Sequence, residues 1–218
     1  MEVLYYLDGV DLKNYGVFVS ASSGLISRPK LKEPVKQSWK THHGDVVDLS
    51  KRYYDSRKIM LDCFIVATSK EDFITKMNTF LQLFDASGTR RLMVVVDVNK
   101  PLVYEVYLSD QIDPKKEWSD GKMVGTFNLE LIEPAPIKRV VKHIREGEPT
   151  KTLSVTITSS KVVDIYWGDG SVTYDISGTS VVTTHNYASN GTFYAIVAGC
   201  VDEITSFSTT GTVLWSKL

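Results

Sequence analysis

Residues 125–134 read Gly-Thr-Phe-Asn-Leu-Glu-Leu-Ile-Glu-Pro, and this stretch sets the expected fold class. Phe127, Leu129 and Leu131 are apolar, whereas the residues that alternate with them are polar: Thr126, Asn128 and Glu130. Successive side chains of a β-strand point to opposite faces, so the alternation places one face in a core and the other in water. The stretch therefore predicts a strand with one buried face.

Three runs upstream of this stretch also have the pattern of strands. Residues 59–66 alternate, and one of their faces is uniformly apolar: Ile59, Leu61, Cys63 and Ile65. Residues 92–97 begin with a short continuous apolar run, which is typical of a central strand, and residues 102–108 alternate again. We therefore expect the first part of the chain to be mainly β.

Between the first two of these runs, residues 69–84 have a helical pattern. Their apolar residues recur along one helical stripe: Phe73, Met77, Phe80, Leu81 and Phe84. Thr68 or Ser69 can cap the start of the helix, and Glu71, three residues after Thr68, would complete a capping box. Because amphipathic helices bury their apolar face, the stripe predicts core packing rather than a ligand site.

The composition of the chain changes near Pro149. All seven prolines lie at or before this position, whereas residues 150–218 contain 23 Ser and Thr in short strand-like runs. We predict a first β domain at residues 1–136, a linker at residues 137–149 and a small β-sandwich at residues 150–218. Apolar residues of the linker have helical spacing, but its β-branched content argues against a helix, and both alternatives stay open.

Charge and composition narrow the classes of function. The net charge is −1, divided as +3 over residues 1–145 and −4 over residues 146–218. No Lys/Arg run suited to tracking phosphates occurs, so we expect no sequence-specific nucleic-acid partner. No apolar run approaches the about 20 residues that span a bilayer, and no signal peptide is recognisable. Cys63 and Cys200 lie in apolar runs and are expected to be small buried hydrophobes.

The sharpest local motif is Trp-Gly-Asp-Gly-Ser at residues 167–171. Two glycines around an Asp between two β runs supply the positive φ angles of a tight hairpin. The alternative is a cation or sugar site built on Asp169. A calcium loop needs several oxygen ligands at short spacing, and the nearest carboxylates are Asp164 and Asp175. The motif therefore predicts a turn.

The histidines do not form a recognisable metal site. His42 and His43 are adjacent, so their side chains would leave a strand on opposite faces, and no further ligands are apparent. We predict a loop or hairpin tip there, and we predict that His185 is a hydrogen-bonded turn residue. No nucleophile elbow, phosphate-binding loop or His-Glu-x-x-His motif occurs. We expect no catalytic activity, no cofactor and no bound metal.

The order of pieces in residues 1–136 resembles the N-terminal domain of the phage distal tail protein family. The pieces are a Gly-Val opening within residues 6–18, Asp-x-Arg at residues 55–57 before a strand, the capped helix, and the Phe-x-Leu-x-Leu…Pro finish at residues 125–134. This resemblance implies a β-sandwich or split barrel with one α-helix and a protruding hairpin. It also implies a homohexameric ring between the tail tube and the baseplate or tail tip.

Residues 150–218 resemble a different family, the immunoglobulin-like domains of the polycystic-kidney-disease (PKD) type. The matching pieces are Trp-Gly-Asp-Gly at residues 167–170, His-Asn-Tyr at residues 185–187, and Gly-Thr-Phe-Tyr-Ala-Ile-Val at residues 191–197. The resemblance implies a small immunoglobulin-like β-sandwich. Its structural motif would consist of six residues: Trp167, Gly168, Asp169, Gly170, His185 and Tyr187.

Two functions follow from these resemblances. The first is a structural component of a phage tail tip, made and assembled in the cytoplasm of a bacterial host and located in the virion. Its partners would be further copies of itself, the tail tube and the tail-tip hub. The alternative is an adhesion or carbohydrate-binding protein whose C-terminal domain binds a cell-surface glycan. The missing signal peptide counts against secretion by the host and favours the first function.

Overall fold

The structure, a computed structural model, describes residues 3–119 and 121–218. Among the described residues, the first part of the chain, up to Glu133, forms ten strands: Leu4–Leu7 (β1), Val10–Asp11 (β2), Val17–Ser23 (β3), Lys36–Ser38 (β4), Asp45–Val47 (β5), Arg57–Ala67 (β6), Arg90–Val95 (β7), Leu102–Leu108 (β8), Lys115–Ser119 (β9) and Lys122–Glu133 (β10). The later part forms six: Arg139–Arg145 (β11), Thr152–Tyr166 (β12), Val172–Asn186 (β13), Gly191–Gly199 (β14), Ile204–Thr209 (β15) and Thr212–Trp215 (β16). The expected mainly β fold is confirmed.

Eight strands of the first part form one antiparallel sheet. Their order is β2-β1-β7-β8-β10-β6-β3, and β9 pairs with the first residues of β10. The β10–β6 ladder is eleven residue pairs long, from Met123 opposite Ala67 to Glu133 opposite Arg57. The alternation predicted for residues 125–134 is confirmed, since every second side chain enters the core: Phe127, Leu129 and Leu131.

The predicted helix is the α-helix Lys70–Leu81 (α1), which packs on this sheet. Phe73, Met77 and Phe80 are buried, and the stripe continues through partly buried residues into a 3-10 turn at Gln82–Phe84: Leu81 and Phe84. Ser69 is the N-cap, accepting a hydrogen bond from the backbone nitrogen of Asp72 over 3.0 Å. The capping box predicted with Glu71 is wrong, because the Asp72 carboxylate accepts from the backbone of Thr68 instead. Among the described residues no helix is long and apolar enough to cross a membrane.

The second sheet contains most of the segment predicted as a linker. Its order is β13-β12-β14-β11-β16, and β15 pairs with β12. Because β11 lies between β14 and β16, with Val140 and Val141 fully buried, the linker prediction for residues 137–149 is wrong over this strand. Of the two alternatives left open the extended one is observed. Its β-branched residues fit a pleated, buried surface better than a helix.

Strand β12 bends, and the bend shapes the second core. The strand pairs with β13 along most of its length, with β15 along its first half and with β14 along its last four residues. Irregularities of register separate these pairings, as expected where a strand changes direction. The layers of the predicted sandwich are thus parts of one continuous sheet, which surrounds a core that includes Leu153, Val155, Ile165, Trp167, Tyr187 and Val197.

An apolar cluster joins the two parts of the chain. Its buried members come from β8, β11 and β14: Val103, Val140, Ile196 and Ala198. Trp215 packs on this cluster, and its indole nitrogen donates to the carbonyl oxygen of Pro101 over 3.1 Å. The segments predicted as two domains therefore share buried surface, and their independent folding stays a prediction.

The two cysteines are both free and differ in environment. Cys63 of β6 is buried, as predicted, and burial raises the pKa of its thiol to about 12. Cys200 is only partly buried, because it lies in the bend that follows β14. The expectation of a buried hydrophobe is therefore wrong for Cys200.

Candidate functional site

A hairpin leaves the first sheet between β3 and β6, and we call its residues 28–55 the arm. Strands β4 and β5 pair antiparallel within it, and a bridge between Leu31 and Tyr54 closes its base. His42 and His43 lie between β4 and β5, which confirms the prediction of a loop or hairpin tip. The protruding hairpin implied by the distal-tail resemblance has its counterpart in the arm.

The arm leaves apolar side chains largely exposed. Four of them are 47–77% exposed: Val35, Trp39, Val46 and Leu49. The arm also carries seven Lys and Arg against four Asp and Glu, a net charge of +3. A two-stranded hairpin alone is at best marginally stable in water, and clustered apolar exposure marks interaction surfaces. This part of the arm therefore has the character of a surface that another chain covers.

The base of the arm, in contrast, is attached to the second part of the chain. Tyr54 packs against the second core. Lys51 forms an ion pair with Glu203, and this hydrogen bond raises the pKa of Lys51 and lowers the pKa of Glu203. The arm is thus held at one end and uncovered at the other.

The Trp-Gly-Asp-Gly motif forms the turn between β12 and β13. Gly168 and Gly170 both have positive φ angles, 98° and 92°, which L side chains rarely adopt. The backbone nitrogen of Trp167 donates to the carbonyl oxygen of Ser171 over 2.9 Å, and Oδ1 of Asp169 accepts from the Ser171 nitrogen over 3.0 Å. The residues therefore occupy the tight hairpin that the sequence predicts.

His185 lies within strand β13, so the prediction that it is a turn residue is wrong. Its ring stacks on Trp167 at 5.0 Å, and its Nε2 lies 2.6 Å from Oδ2 of Asp169. Burial acts to raise the pKa of Asp169, but the hydrogen bonds from His185 and Ser171 outweigh it and lower that pKa. The Tyr187 hydroxyl donates to the carbonyl oxygen of Trp167 over 2.8 Å. The six motif residues thus brace one turn, and both carboxylate oxygens of Asp169 are engaged.

Arg91 of β7 connects the two parts of the chain beside this turn. Its Nε donates to Glu105 over 2.6 Å, and its Nη1 donates to the carbonyl oxygen of Tyr194. Its Nη2 lies 3.4 Å from the carbonyl oxygen of Tyr166. A Cβ atom at Gly168 would lie 2.6 Å from Nη1 of Arg91. The absence of a side chain at Gly168 therefore permits both the turn and the close approach of the Arg91 guanidinium.

Three buried charged residues lie where β10 leads into β11. The carboxylate of Glu133 is paired with Arg57, whose Nε is 3.1 Å away, and with the ammonium of Lys138. Nη2 of Arg57 also donates to the carbonyl oxygen of Pro136 over 2.9 Å, and Lys138 lies 4.0 Å from the centre of the Tyr104 ring. Burial lowers the pKa of Lys138 to about 8 and raises the pKa of Glu133.

Sequence reasoning missed this charged cluster, although a signal for it exists. Glu133 falls on the same alternating face as Leu131, and Arg57 falls on the same face as Ile59. Two opposite charges at core-facing positions of two amphipathic strands predict a buried pair, because an unpaired buried charge is costly.

Comparison with known proteins comes from solved structures alone, since no protein-family model and no curated protein matches the chain. The Dit protein of phage SPP1, described as a paradigm of hub adsorption apparatus in phages infecting Gram-positive bacteria, is 11% identical. The alignment covers 91% of this chain and 99% of that one, with a TM-score of 0.48. Two structures of the phage p2 baseplate in its activated conformation, with strontium and with calcium, are each 9% identical over 92% of this chain and 99% of theirs, with TM-scores of 0.47.

Proposed function

We propose that this protein is a structural, non-enzymatic component of a phage tail tip or baseplate, whose copies join head to tail into a closed ring. The arm is the observation that carries the proposal. The base of the arm packs against the second part of the same chain, whereas the apolar side chains farther along the arm are not buried in any core. A neighbouring copy could cover these side chains with a different part of its surface, and its own arm would then stay free to contact a third copy. Repetition of such a head-to-tail contact closes into a ring.

The order of the sequence pieces supports the same assignment. The Gly-Val opening, the Asp-x-Arg before β6, the capped helix and the finish of β10 occur in the order of the distal tail family. From that resemblance we take a ring of six, contacts with the tail tube and the tail-tip hub, a place in the virion and assembly in the bacterial cytoplasm. The same reasoning treats residues 150–218 as a PKD-like module carried by the ring.

The non-enzymatic assignment rests on how the charged side chains are used. Glu133, Glu105 and Asp169 each bind a cation or histidine that connects strands or braces a turn. Among residues 3–119 and 121–218, no group of three His, Cys, Asp or Glu side chains could hold a metal. The positions of these three carboxylates are therefore explained by their structural roles.

Charge placed on the arm tests the ring. We expect the unaltered chain at high concentration, or mixed with the tail tube protein, to form rings in negative-stain images and in sedimentation. Val46→Asp should weaken this association by at least about tenfold, since a buried carboxylate without a partner opposes the contact. The matched control is Val182→Asp, a similarly exposed valine on β13.

Two results would contradict the proposal. One is a chain that stays monomeric in both conditions and shows no ring. The other is a ring that Val46→Asp and Val182→Asp leave equally intact, which would mean that the arm does not form the contact.

A further inference from the structure

A cleft of about 500 Å³ separates the two parts of the chain on the side of the Trp-Gly-Asp-Gly turn. One wall comes from the first sheet and includes the turn at Asp8 and the start of β7. The other comes from the second sheet and includes residues 168–172, Tyr174 and Tyr194. The ring contact proposed above uses the arm, and no arm residue lines this cleft.

Three tyrosines line the second wall: Tyr166, Tyr174 and Tyr194. Tyr174 is 62% exposed, and its ring meets that of Tyr166 edge to face at 6.5 Å. Among the described residues no hydrogen-bond partner is found for the hydroxyl of any of the three. The wall therefore offers aromatic faces for packing together with free hydroxyl groups for hydrogen bonds.

The first wall offers an acceptor. The Asp8 side chain is 42% exposed, and it stands in a β1–β2 turn where its φ is +49°. Its Oδ1 accepts from the backbone nitrogen of Arg91 over 2.8 Å. Its Oδ2 has only a long contact of 3.4 Å with Arg90 and retains capacity for a further donor.

The charges of the cleft argue against an anionic ligand. The guanidinium of Arg91 is occupied by Glu105 and by two backbone carbonyl oxygens. Nη1 of Arg90 faces Asp8, and Nε and Nη2 of Arg90, which have no hydrogen-bond partner among the described residues, are buried and do not reach the surface of the cleft. Asp8, Glu105 and Asp169 outnumber the two arginines, so a phosphate or carboxylate would meet net negative charge rather than an accessible free cation.

We propose that this cleft binds a neutral saccharide. Sugar rings combine an apolar C–H face, which packs on an aromatic ring, with a rim of hydroxyl groups. The tyrosines supply the aromatic faces, and Asp8 with the free tyrosine hydroxyls supplies partners for the rim. Pockets of 300–1,000 Å³ are typical for small ligands, on the order of the volume here. A proline-rich peptide is the competing ligand for an aromatic groove, but it would leave Asp8 without a donor.

Titration of the full-length chain with three tetrasaccharides tests the proposal: maltotetraose, cellotetraose and chitotetraose. Decaproline is the peptide probe. We expect isothermal calorimetry at millimolar concentrations to show binding of at least one saccharide and none of decaproline. Tyr174→Ala should weaken that binding by about tenfold, as loss of one aromatic contact does. Tyr107→Ala is the matched control, since Tyr107 is an exposed tyrosine of β8 outside the cleft.

Asp8→Asn provides a second variant, on the opposite wall. Asn tolerates a positive φ, so the turn is retained while the charge of the acceptor is lost. We expect saccharide binding to weaken in this variant too, with an unchanged melting temperature. Binding of decaproline alone, binding of no probe, or equal saccharide affinity in Tyr174→Ala and Tyr107→Ala would overturn the proposal. Because each titration can be run on monomer or ring, failure here leaves the ring proposal untouched.

Discussion

Gly168 and Gly170 form a natural pair for comparison at the scale of single residues. Both stand in the same turn with similar positive φ angles. A Cβ atom at Gly170 would meet nothing within 4 Å, whereas one at Gly168 would lie 2.6 Å from Nη1 of Arg91 and 2.9 Å from the Tyr194 carbonyl oxygen. The two positions therefore share the backbone strain and differ in the contact between the two parts of the chain.

We predict that Gly168→Ala is the more destabilising substitution of this pair. Gly170→Ala should lower the free energy of unfolding by about 1–2 kcal/mol, because an L residue is strained at this φ. Gly168→Ala should cost on the order of 1–3 kcal/mol more, since Arg91 must also leave its partners. Urea denaturation of the three proteins measures the difference. Equal losses in the two variants would mean that the Arg91 contact contributes nothing to stability.

Among the elements, β11 differs most from what the sequence suggests for it. The segment with linker composition is a strand hydrogen-bonded on both sides, whereas the arm, predicted as a loop or hairpin tip, is an exposed two-stranded hairpin. Resistance to local opening follows hydrogen bonding and burial rather than composition. The arm is therefore the element expected to open first.

Limited trypsin digestion distinguishes these elements. We predict that the first cuts in monomeric protein fall within the arm, after Lys36 or Lys40, because both are exposed near its far end. Lys138 is fully buried, and Lys142 lies in the middle of β11, so cleavage after them should come later. Mass spectrometry of the early fragments identifies the sites. Early cuts at Lys138 or Lys142 would show that β11 behaves as a linker after all.

At the scale of the whole molecule, the charged cluster of Arg57, Glu133 and Lys138 connects the two parts of the chain through ion pairs, as the apolar cluster connects them through packing. Its two cations neutralise one carboxylate inside the protein. Desolvation makes the charged form of Lys138 unfavourable, so stability of the whole fold depends on its protonation.

We predict that Lys138 adds a contribution to the free energy of unfolding that rises with pH above about 8, against the opposing fall that the raised pKa of Cys63 produces. The pKa of Lys138 is about 8 when folded and 10.5 in its ordinary state, so between these values the unfolded chain binds a proton that the folded chain does not. This contribution is present at high pH and is lost as the pH falls through the folded pKa. Urea denaturation between about pH 8 and 9.5, below the range of ordinary tyrosines, measures it. Lys138→Met should lack the rise, and an identical slope in both proteins would contradict the assignment.

Local pattern predicted local structure well in this chain. Alternation located the strands at residues 59–66 and 125–134, and helical spacing located α1, because both periodicities reflect one buried face. The cap partner Asp72, three residues after Ser69, and the core-facing charges Arg57 and Glu133 had signals in the sequence that were missed. The strand position of His185 depends on three-dimensional neighbours. Linker composition at residues 137–149 misled for the same reason, since only the flanking strands β14 and β16 make β11 a central strand.

The long β10–β6 ladder also has a mechanical consequence. Strand β10 passes into β11 through five residues, 134–138, so tension carried by this connection pulls on the end of β10. The ladder's bonds run across the axis of β10, and under a pull along that axis its eleven residue pairs are loaded together in shear rather than peeled apart one at a time. The first sheet is thereby suited to resist a pull that acts on the end of β10.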